Sequence, residues 1–304
     1  MTQEITACPL CGSTGNSLFD HRTFRNIAVT NRICDTCGLV FESPRMSESE
    51  IEEFYKSEYR RLNQGGSEEP VLKEIAIQRA RAEALFNIFF AKVKKVSRHL
   101  DIGCSAGLLL AKFQEYYGCD AIGIEPGNAF REYAIRQNLK VYSSLDELKQ
   151  AGEEKFDLIS MSHVLEHIAN PVAYLIQLRE SFLAQDGWLS LEVPNLYAHD
   201  SFEIAHLYSF SSHTLSQVLG KAGYQIVRTV KHGQPRSKFT PLYINVLALP
   251  VLSAPQSFSI IPERGIRNKR QAGLYVRDRI NALSGLIGIP RRIIVRLKRM
   301  FHRE

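Results

Sequence analysis

Four cysteines near the N-terminus have the clearest chemical spacing in the chain. "CPLCG" (Cys8–Gly12) and "CDTCG" (Cys34–Gly38) are two C-x-x-C pairs, and each presents two thiolates on one tight turn. Two such knuckles suit tetrahedral zinc, with Gly12 and Gly38 supplying backbone freedom after each pair. Disulfides or free thiols are the alternative, and a chain read as cytosolic disfavours disulfides. A four-thiolate set is coordinatively closed, so a zinc ion held by Cys8, Cys11, Cys34 and Cys37 would be structural. Cys104 and Cys119 have no such spacing and read as small buried residues.

A second string, "HVLEH" (His163–His167), reads H-x-x-E-H. In an inverted zinc-protease helix that pattern supplies two metal-binding histidines and a glutamate that works on water. Here it follows the strand pattern "FDLIS" directly, and Asn170-Pro171 ends any helix within two turns. A third ligand would have to come from elsewhere, and the four-ligand set legible in the sequence is the cysteine set. The string therefore reads as the rim of a binding site. His163, His167 and His206 (in "IAHLYSFS") are the candidate general bases, because imidazole titrates near neutral pH. Hydrogen-bonded support of a loop is the competing role for His163 and His167.

The third feature is "LDIGCSAGLLL", in which Asp101, Gly103 and Gly107 end a strand and open a helix. It lacks both the G-x-G-x-x-G of a dinucleotide site and the Lys-Ser/Thr of a phosphate loop. Eighteen residues after Gly107, Glu125 ends the next strand in "GIEPG" and can accept both hydroxyls of a ribose. The implied ligand is a nucleoside with a cationic or amino-acid part and no pyrophosphate. S-adenosylmethionine has that description. A glycine turn serving packing alone is the alternative.

These motifs punctuate an alternation of strand and helix patterns. "SRHLDIG", "DAIGIEP", "LKVYSS", "KFDLISMS" and "GWLSLEVP" read as strands. "GLLLAKFQEYY", "NAFREYAIRQN", "PVAYLIQLRESFL" and "SSHTLSQVLGKAG" read as helices, and "YQIVRTVK" and "PLYINVLAL" as two last strands. Repeated βα units predict an α/β fold with an open, mostly parallel sheet that binds ligands beyond the carboxyl ends of its strands. Upstream, Ser47 and Glu50 fit a capping box, "GGSEEP" reads as a flexible break, and a long amphipathic helix is expected to start with Pro70 near its first position.

Together these residues resemble the class I S-adenosylmethionine-dependent methyltransferases, most closely bacterial members with an N-terminal zinc ribbon linked to polysaccharide and sugar modification. The resemblance rests on "CPLCG", "CDTCGLVFESPR", "EEFYKSEYR", "LDIGCSAG", "GIEP", "FDLISMSHVLEHIANP", "LEVPN" and "HLYSFSSHTL", and covers most of residues 8 to 250. It implies a Rossmann-like methyltransferase sheet with an antiparallel last strand, and a donor site made by Asp101, Gly103, Cys104, Gly107, Glu125, Pro126, Ser143, Met161 and Ser162. Tyr55 and Tyr59 would cover the donor or merely pack. His206 resembles the second histidine of a "YHEH" segment in zinc-ribbon sugar C-methyltransferases. The first histidine and the glutamate of that segment are replaced here by Ile204 and Ala205, and the long third domain of those enzymes is missing. O-methylation of a sugar or glycolipid fits at least as well as carbon methylation.

An apolar fraction of 44% and a charged fraction of 23% suit a soluble globular chain. "MTQEITACPL" has no basic and apolar leader, and the most apolar stretch is interrupted by Pro250 and Pro255, so a cytoplasmic protein is expected. Residues 262–304 carry 12 Lys/Arg against 3 Asp/Glu, or +9, which against the overall +6 leaves the first 261 residues at −3. In "PRRIIVRLKRMFHRE", Ile293, Ile294, Leu297, Met300 and Phe301 share one helical face among arginines and lysines, the composition of an interfacial helix attracted by anionic lipid. Docking on the body or gripping RNA are the alternatives, and the acidic body disfavours nucleic acid. The expected segments are a ribbon (1–45), a helical connector (46–96), the methyltransferase domain (97–250) and a basic tail (251–304). The expected partners are a small-molecule or glycan acceptor and an anionic membrane surface met by residues 290–304.

Overall fold

The computed structural model describes residues 3–54, 69–200, 202–251 and 258–285. Tyr55, Tyr59, most of the "GGSEEP" break and the whole 290–304 segment lie outside the described residues.

The larger sheet has seven strands: β4 (Arg98–Ile102), β5 (Asp120–Ile124), β6 (Lys140–Tyr142), β7 (Phe156–Ser162), β8 (Leu183–Pro194), β10 (Tyr224–His232) and β11 (Tyr243–Pro250). Their order is β10-β11-β8-β7-β4-β5-β6. Strands β4 to β8 pair in parallel, whereas β11 runs antiparallel to both β8 and β10. This is the expected Rossmann-like methyltransferase sheet. The chain leaves β4 toward β5 and β6, then crosses back to place β7 on the other side of β4. That reversal opens a crevice at the carboxyl ends of β4 and β7.

Local sequence explains the strands and caps. β11 is buried along "YINVLA", as a strand covered on both faces must be. Helix α1 (Glu48–Glu53) starts with the capping box of Ser47 and Glu50. Helix α2 (Leu72–Phe90) begins two residues later than expected, because Val71 and not a residue before Pro70 occupies its N-cap. Its Phe86 and Phe89 rings each lie 5.3 Å from Phe113 on α3 (Leu108–Tyr117). Helices α4 (Asn128–Arg136), α5 (Leu145–Gln150), α6 (Pro171–Gln177) and α7 (Ser212–Lys221) complete the layers. The side chains of Ser144, Asn170 and Ser211 accept N–H groups at the starts of α5, α6 and α7.

The second sheet, β1-β2-β3-β9, joins the cysteine-bearing segment to the body. β1 (Asn16–Phe24) and β2 (Ile27–Cys34) form a hairpin through Arg25 and Asn26, both at left-handed φ, which matches the twist of a two-residue turn. β3 (Val40–Glu42) then pairs with β9 (Tyr208–Ser209), a segment reached after β8 of the large sheet. Cys8, Leu10, Cys34, Cys37, Leu39 and Phe41 consequently share one hydrophobic core with Leu191, Val193 and Leu215. Arg45 tightens this junction: it donates to Tyr208 Oη at 2.9 Å and to the Ala169 carbonyl at 3.0 Å, just beyond the "HVLEH" string.

Helix α8 (Ile266–Gly285) packs onto the same junction, where Ile266 clusters with Val40, Leu196 and Phe202. Its cations are partly spent on backbone carbonyls. Arg267 donates to the carbonyls of Leu18 and Phe19, and Arg270 to those of Leu196 and His199 and to Asp200. Among the described residues, no helix is long and apolar enough to cross a membrane.

Candidate active site

The parallel strands deliver their chemistry to one edge. Asp101 lies one residue before the end of β4, Glu125 one residue beyond β5, Ser143 one beyond β6, and Met161 and Ser162 close β7. Gly103 has φ +72°, and a Cβ there would lie 2.5 Å from Val164 Cγ2, so the turn after β4 and the "HVLEH" loop meet at a distance glycine alone permits. Gly107 caps α3 at φ +77°, where a Cβ would press on Leu139.

Two buried carboxylates flank this turn. Glu125 accepts the N–H groups of Ser105 and Gly127, each at 2.9 Å. Asp101 accepts the Ser160 hydroxyl at 2.5 Å, and Ser160 accepts His99 Nε2 at 2.7 Å. Burial pushes the Asp101 carboxyl up to about 7 against the pull of Ser160, and the Glu125 charge adds to the rise. A cationic ligand relieves both effects, because it favours the anion of Asp101 and offsets the repulsion between the two groups.

On the opposite side of β7 lies a cluster of histidines and glutamates. His163 stands at φ +56°, a strained position for a residue other than glycine. Its Nδ1 is 3.4 Å from Glu166 Oε1 and its Nε2 is 3.3 Å from Glu192 Oε1. The Tyr243 ring meets the imidazole edge-on at 4.9 Å. Glu192 also accepts the Ser162 hydroxyl at 3.0 Å and has His232 Nε2 2.6 Å from its other oxygen. "LEH" (Leu165–His167) forms a single 3-10 turn. His167 Nδ1 donates to the Ala205 carbonyl at 2.6 Å, and the His167 and His206 rings meet at 4.7 Å. His206 Nε2 lies 3.1 Å from Glu203 Oε1.

The charges of this cluster are set by burial against pairing. Burial would raise Glu166, but the approach of His163, with the charges that His167 and His206 carry when protonated, outweighs it and brings it down to about 2. Glu192 is held well below the usual carboxylate range: burial is overcome by His163 and His232, with Arg81 adding its charge. Burial lowers His167 despite the neighbouring Glu166 anion. Two anionic carboxylates thus bracket His163 and would hold an imidazolium formed there.

This edge, with its acidic turn and its bracketed histidine, matches a known family. Residues 75–229, just over half of the chain, match the family described as Methyltransferase domain. The chain belongs to that family. Its large sheet is the Rossmann-like methyltransferase fold. A ubiquinone biosynthesis O-methyltransferase of Cereibacter sphaeroides is 37% identical over 90 residues, which is 27% of this chain and 36% of that one. Its counterpart in Roseobacter denitrificans is 33% identical over the same shares. The match thus spans about a third of the length of these relatives. The crystal structure of a Burkholderia thailandensis 1,6-didemethyltoxoflavin-N1-methyltransferase, with its acceptor and S-adenosylhomocysteine bound, covers 76% of this chain and 98% of its own at 18% identity and TM-score 0.55, which shows a common fold.

The residues expected at the donor site of this methyltransferase differ in what they can do. Asp101 and Glu125 fit a donor that carries an ammonium, a sulfonium and two ribose hydroxyls. Cys104 is buried against Gly123, where a Cβ would lie 2.5 Å from its sulfur, so it shapes the sheet edge from beneath. Met161 is buried in the core. Pro126 is exposed, with its carbonyl accepting Arg131 Nη1. Ser143 donates to Glu147 at 2.6 Å.

The three candidate histidines do converge, which their spacing in sequence did not require. His163 is the most exposed, at 19% against 7% for His167 and 8% for His206. Glu192, Glu203, His232 and Tyr243 were missed as site residues. Glu192 belongs to the "LEVPN" string, but nothing local marks its side chain as meeting His163, and His232 comes from β10, three elements further on.

The four cysteines of the two C-x-x-C pairs also converge. Their sulfurs lie within 4.8 Å of one another, with Cys8–Cys37 and Cys11–Cys34 each 3.5 Å apart. Gly12 and Gly38 donate to the carbonyls of Cys8 and Cys34 and close the two knuckles.

Proposed function

We propose that this methyltransferase transfers the donor methyl to a hydroxyl of a small molecule, a sugar or glycan precursor being the favoured class, with His163 as the general base. The observation that carries the reading is His163 itself, more exposed than the other candidate histidines and bracketed by the Glu166 and Glu192 anions. The donor supplies a good leaving group, so the protein's main task is alignment of acceptor oxygen and methyl. A hydroxyl also needs a base, and the bracketing carboxylates stabilise the charge that His163 gains as it takes the proton. The matched stretches of O-methyltransferase relatives favour oxygen as the acceptor atom. The acidic body, at −3 over the first 261 residues, disfavours an RNA acceptor.

The ribbon cysteines fit one structural zinc ion. Sulfur separations of 3.5 Å approach those of a tetrahedral thiolate set, and three of the four cysteines are buried in the common core, as suits a structural ion. Residues 290–304 would bring the enzyme to an anionic membrane surface, in keeping with a lipid-linked acceptor.

The test is a panel of hydroxylated sugars and glycolipids scored by release of S-adenosylhomocysteine, with donor affinity measured by calorimetry. Turnover on one class is expected, and Glu125→Ala should weaken donor binding by roughly 10- to 100-fold, the loss of hydrogen bonds to a charged acceptor. Undiminished donor binding in Glu125→Ala would remove the donor-site assignment. Release of product with amines but with no hydroxyl compound would remove the acceptor assignment.

A further inference from the structure

We propose that Glu166, His167 and His206 form a second metal site, for a divalent first-row transition cation, beside the methyl-transfer site. Their ligand atoms all lie within 4.8 Å of one another, and Glu166 Oε1 is 3.8 Å from His167 Nε2. Ligand atoms about 2.0–2.2 Å from one cation are roughly 3 to 4.4 Å apart, so this pair already has a suitable separation.

The demand for a cation comes from Glu166. It is fully buried, its nearest cationic partner, His163 Nδ1, stands off at 3.4 Å, and neither carboxylate oxygen accepts a hydrogen bond of good geometry. A buried carboxylate anion with so loose a set of partners is costly, and a coordinated cation lowers that cost.

The histidines are oriented as metal ligands usually are, by a hydrogen bond from the other ring nitrogen. The Ala205 carbonyl can only accept, so His167 carries its proton on Nδ1 and its lone pair on Nε2, the atom facing Glu166. His206 Nε2 lies 3.1 Å from Glu203 Oε1, so a proton carried there would leave the lone pair of Nδ1 for a cation. Two imidazoles and one carboxylate suit zinc, cobalt, iron or manganese better than magnesium or calcium.

The "HVLEH" string therefore contributes to a metal site, though not in the inverted-protease manner. His163, first of the pattern, turns between Glu166 and Glu192, while the ligands are the adjacent Glu166 and His167 with His206 from the loop after β8. Three protein ligands leave coordination open to an oxygen. A cation there would acidify an acceptor hydroxyl beside His163, a consequence that rests on the hydroxyl acceptor proposed above; the metal site itself does not.

The experiment uses the full chain with its cysteine site preloaded with zinc, titrated with cobalt(II) alone and followed by visible absorption and metal analysis. One further equivalent should bind, with weak ligand-field bands and no sulfur-to-metal charge-transfer band. Glu166→Gln and His206→Asn should each weaken it on the order of 100-fold. Circular dichroism checks the fold, and His206→Asn, nearer the surface, carries the comparison if Glu166→Gln does not fold. Absence of the second equivalent, or undiminished binding in folded variants, would overturn the site. Calorimetry with S-adenosylmethionine separates the two proposals: donor binding without cobalt binding removes the metal site alone, and cobalt binding without donor binding removes the methyl-transfer assignment alone.

Discussion

His163 and Glu192 are joined twice. The His163 N–H donates to the Glu192 carbonyl at 2.9 Å, and its Nε2 lies 3.3 Å from Oε1 of the same residue. The backbone bond continues the β7–β8 pairing beyond the last strand residue and holds His163 in its left-handed conformation. The side-chain contact then aims the ring along the sheet edge. Ring position and charge partner are thus fixed by one residue.

His163→Ala is expected to lower turnover by about 10²- to 10⁴-fold, the usual contribution of a general base. Donor affinity should stay nearly constant, because Asp101 and Glu125 lie across the turn from it. Steady-state rates with calorimetric donor binding check this. Parallel loss of both would mean that His163 only shapes the loop.

The Asp101 carboxyl is raised to about 7 by burial, with Glu125 adding to the effect. Binding a cationic donor favours its anion, so the donor should bind more weakly as pH falls below 7, by up to roughly tenfold per unit, with uptake of the donor expelling a proton. The stability effect has the opposite sign. The folded state keeps a proton that the unfolded chain loses above about 4, so this group's contribution declines as pH rises from about 4 to 7. Asp101→Asn should flatten both dependences, measured by calorimetry in buffers of different ionisation enthalpy and by thermal unfolding.

Cys37→Ser should release about one equivalent of zinc and lower the melting temperature of the whole protein. The ribbon cysteines share a core with the large sheet, so their loss cannot stay local. Metal analysis and calorimetric unfolding test this, and a variant that lost zinc yet melted at the wild-type temperature would show the ribbon to be energetically separate.

Gly273 lies where a Cβ would be 2.0 Å from the Tyr197 carbonyl oxygen. Gly273→Ala should push α8 off the 196–200 segment and destabilise the chain by about 1–3 kcal/mol, the common cost of overpacking. Denaturant unfolding reads the magnitude. Because the same segment leads to Glu203 and His206, turnover should fall as well.

Much of the proposed donor side was legible because its chemistry is local. Asp101, Gly103, Gly107 and Glu125 declare themselves within a few residues of a strand end, and two C-x-x-C knuckles declare a four-thiolate set. The start of α2 was misplaced by two residues, since proline suits the extended residue just before an N-cap as well as the first helical position.

The acceptor side was legible as residue types and not as an arrangement. The sequence by itself determined the alternation of strands and helices, the acidic turn after the first parallel strand and the cysteine pairs, all of them set by short-range periodicity and backbone geometry. Tertiary structure alone decided that β9 would bind the cysteine-bearing segment to the body, that α8 would dock on the 196–200 segment, and that Glu192, Glu203 and His232 would surround the candidate histidines. Those contacts join residues far apart in the chain. Such pairings depend on which strand ends the crossovers bring together, and no local pattern encodes that.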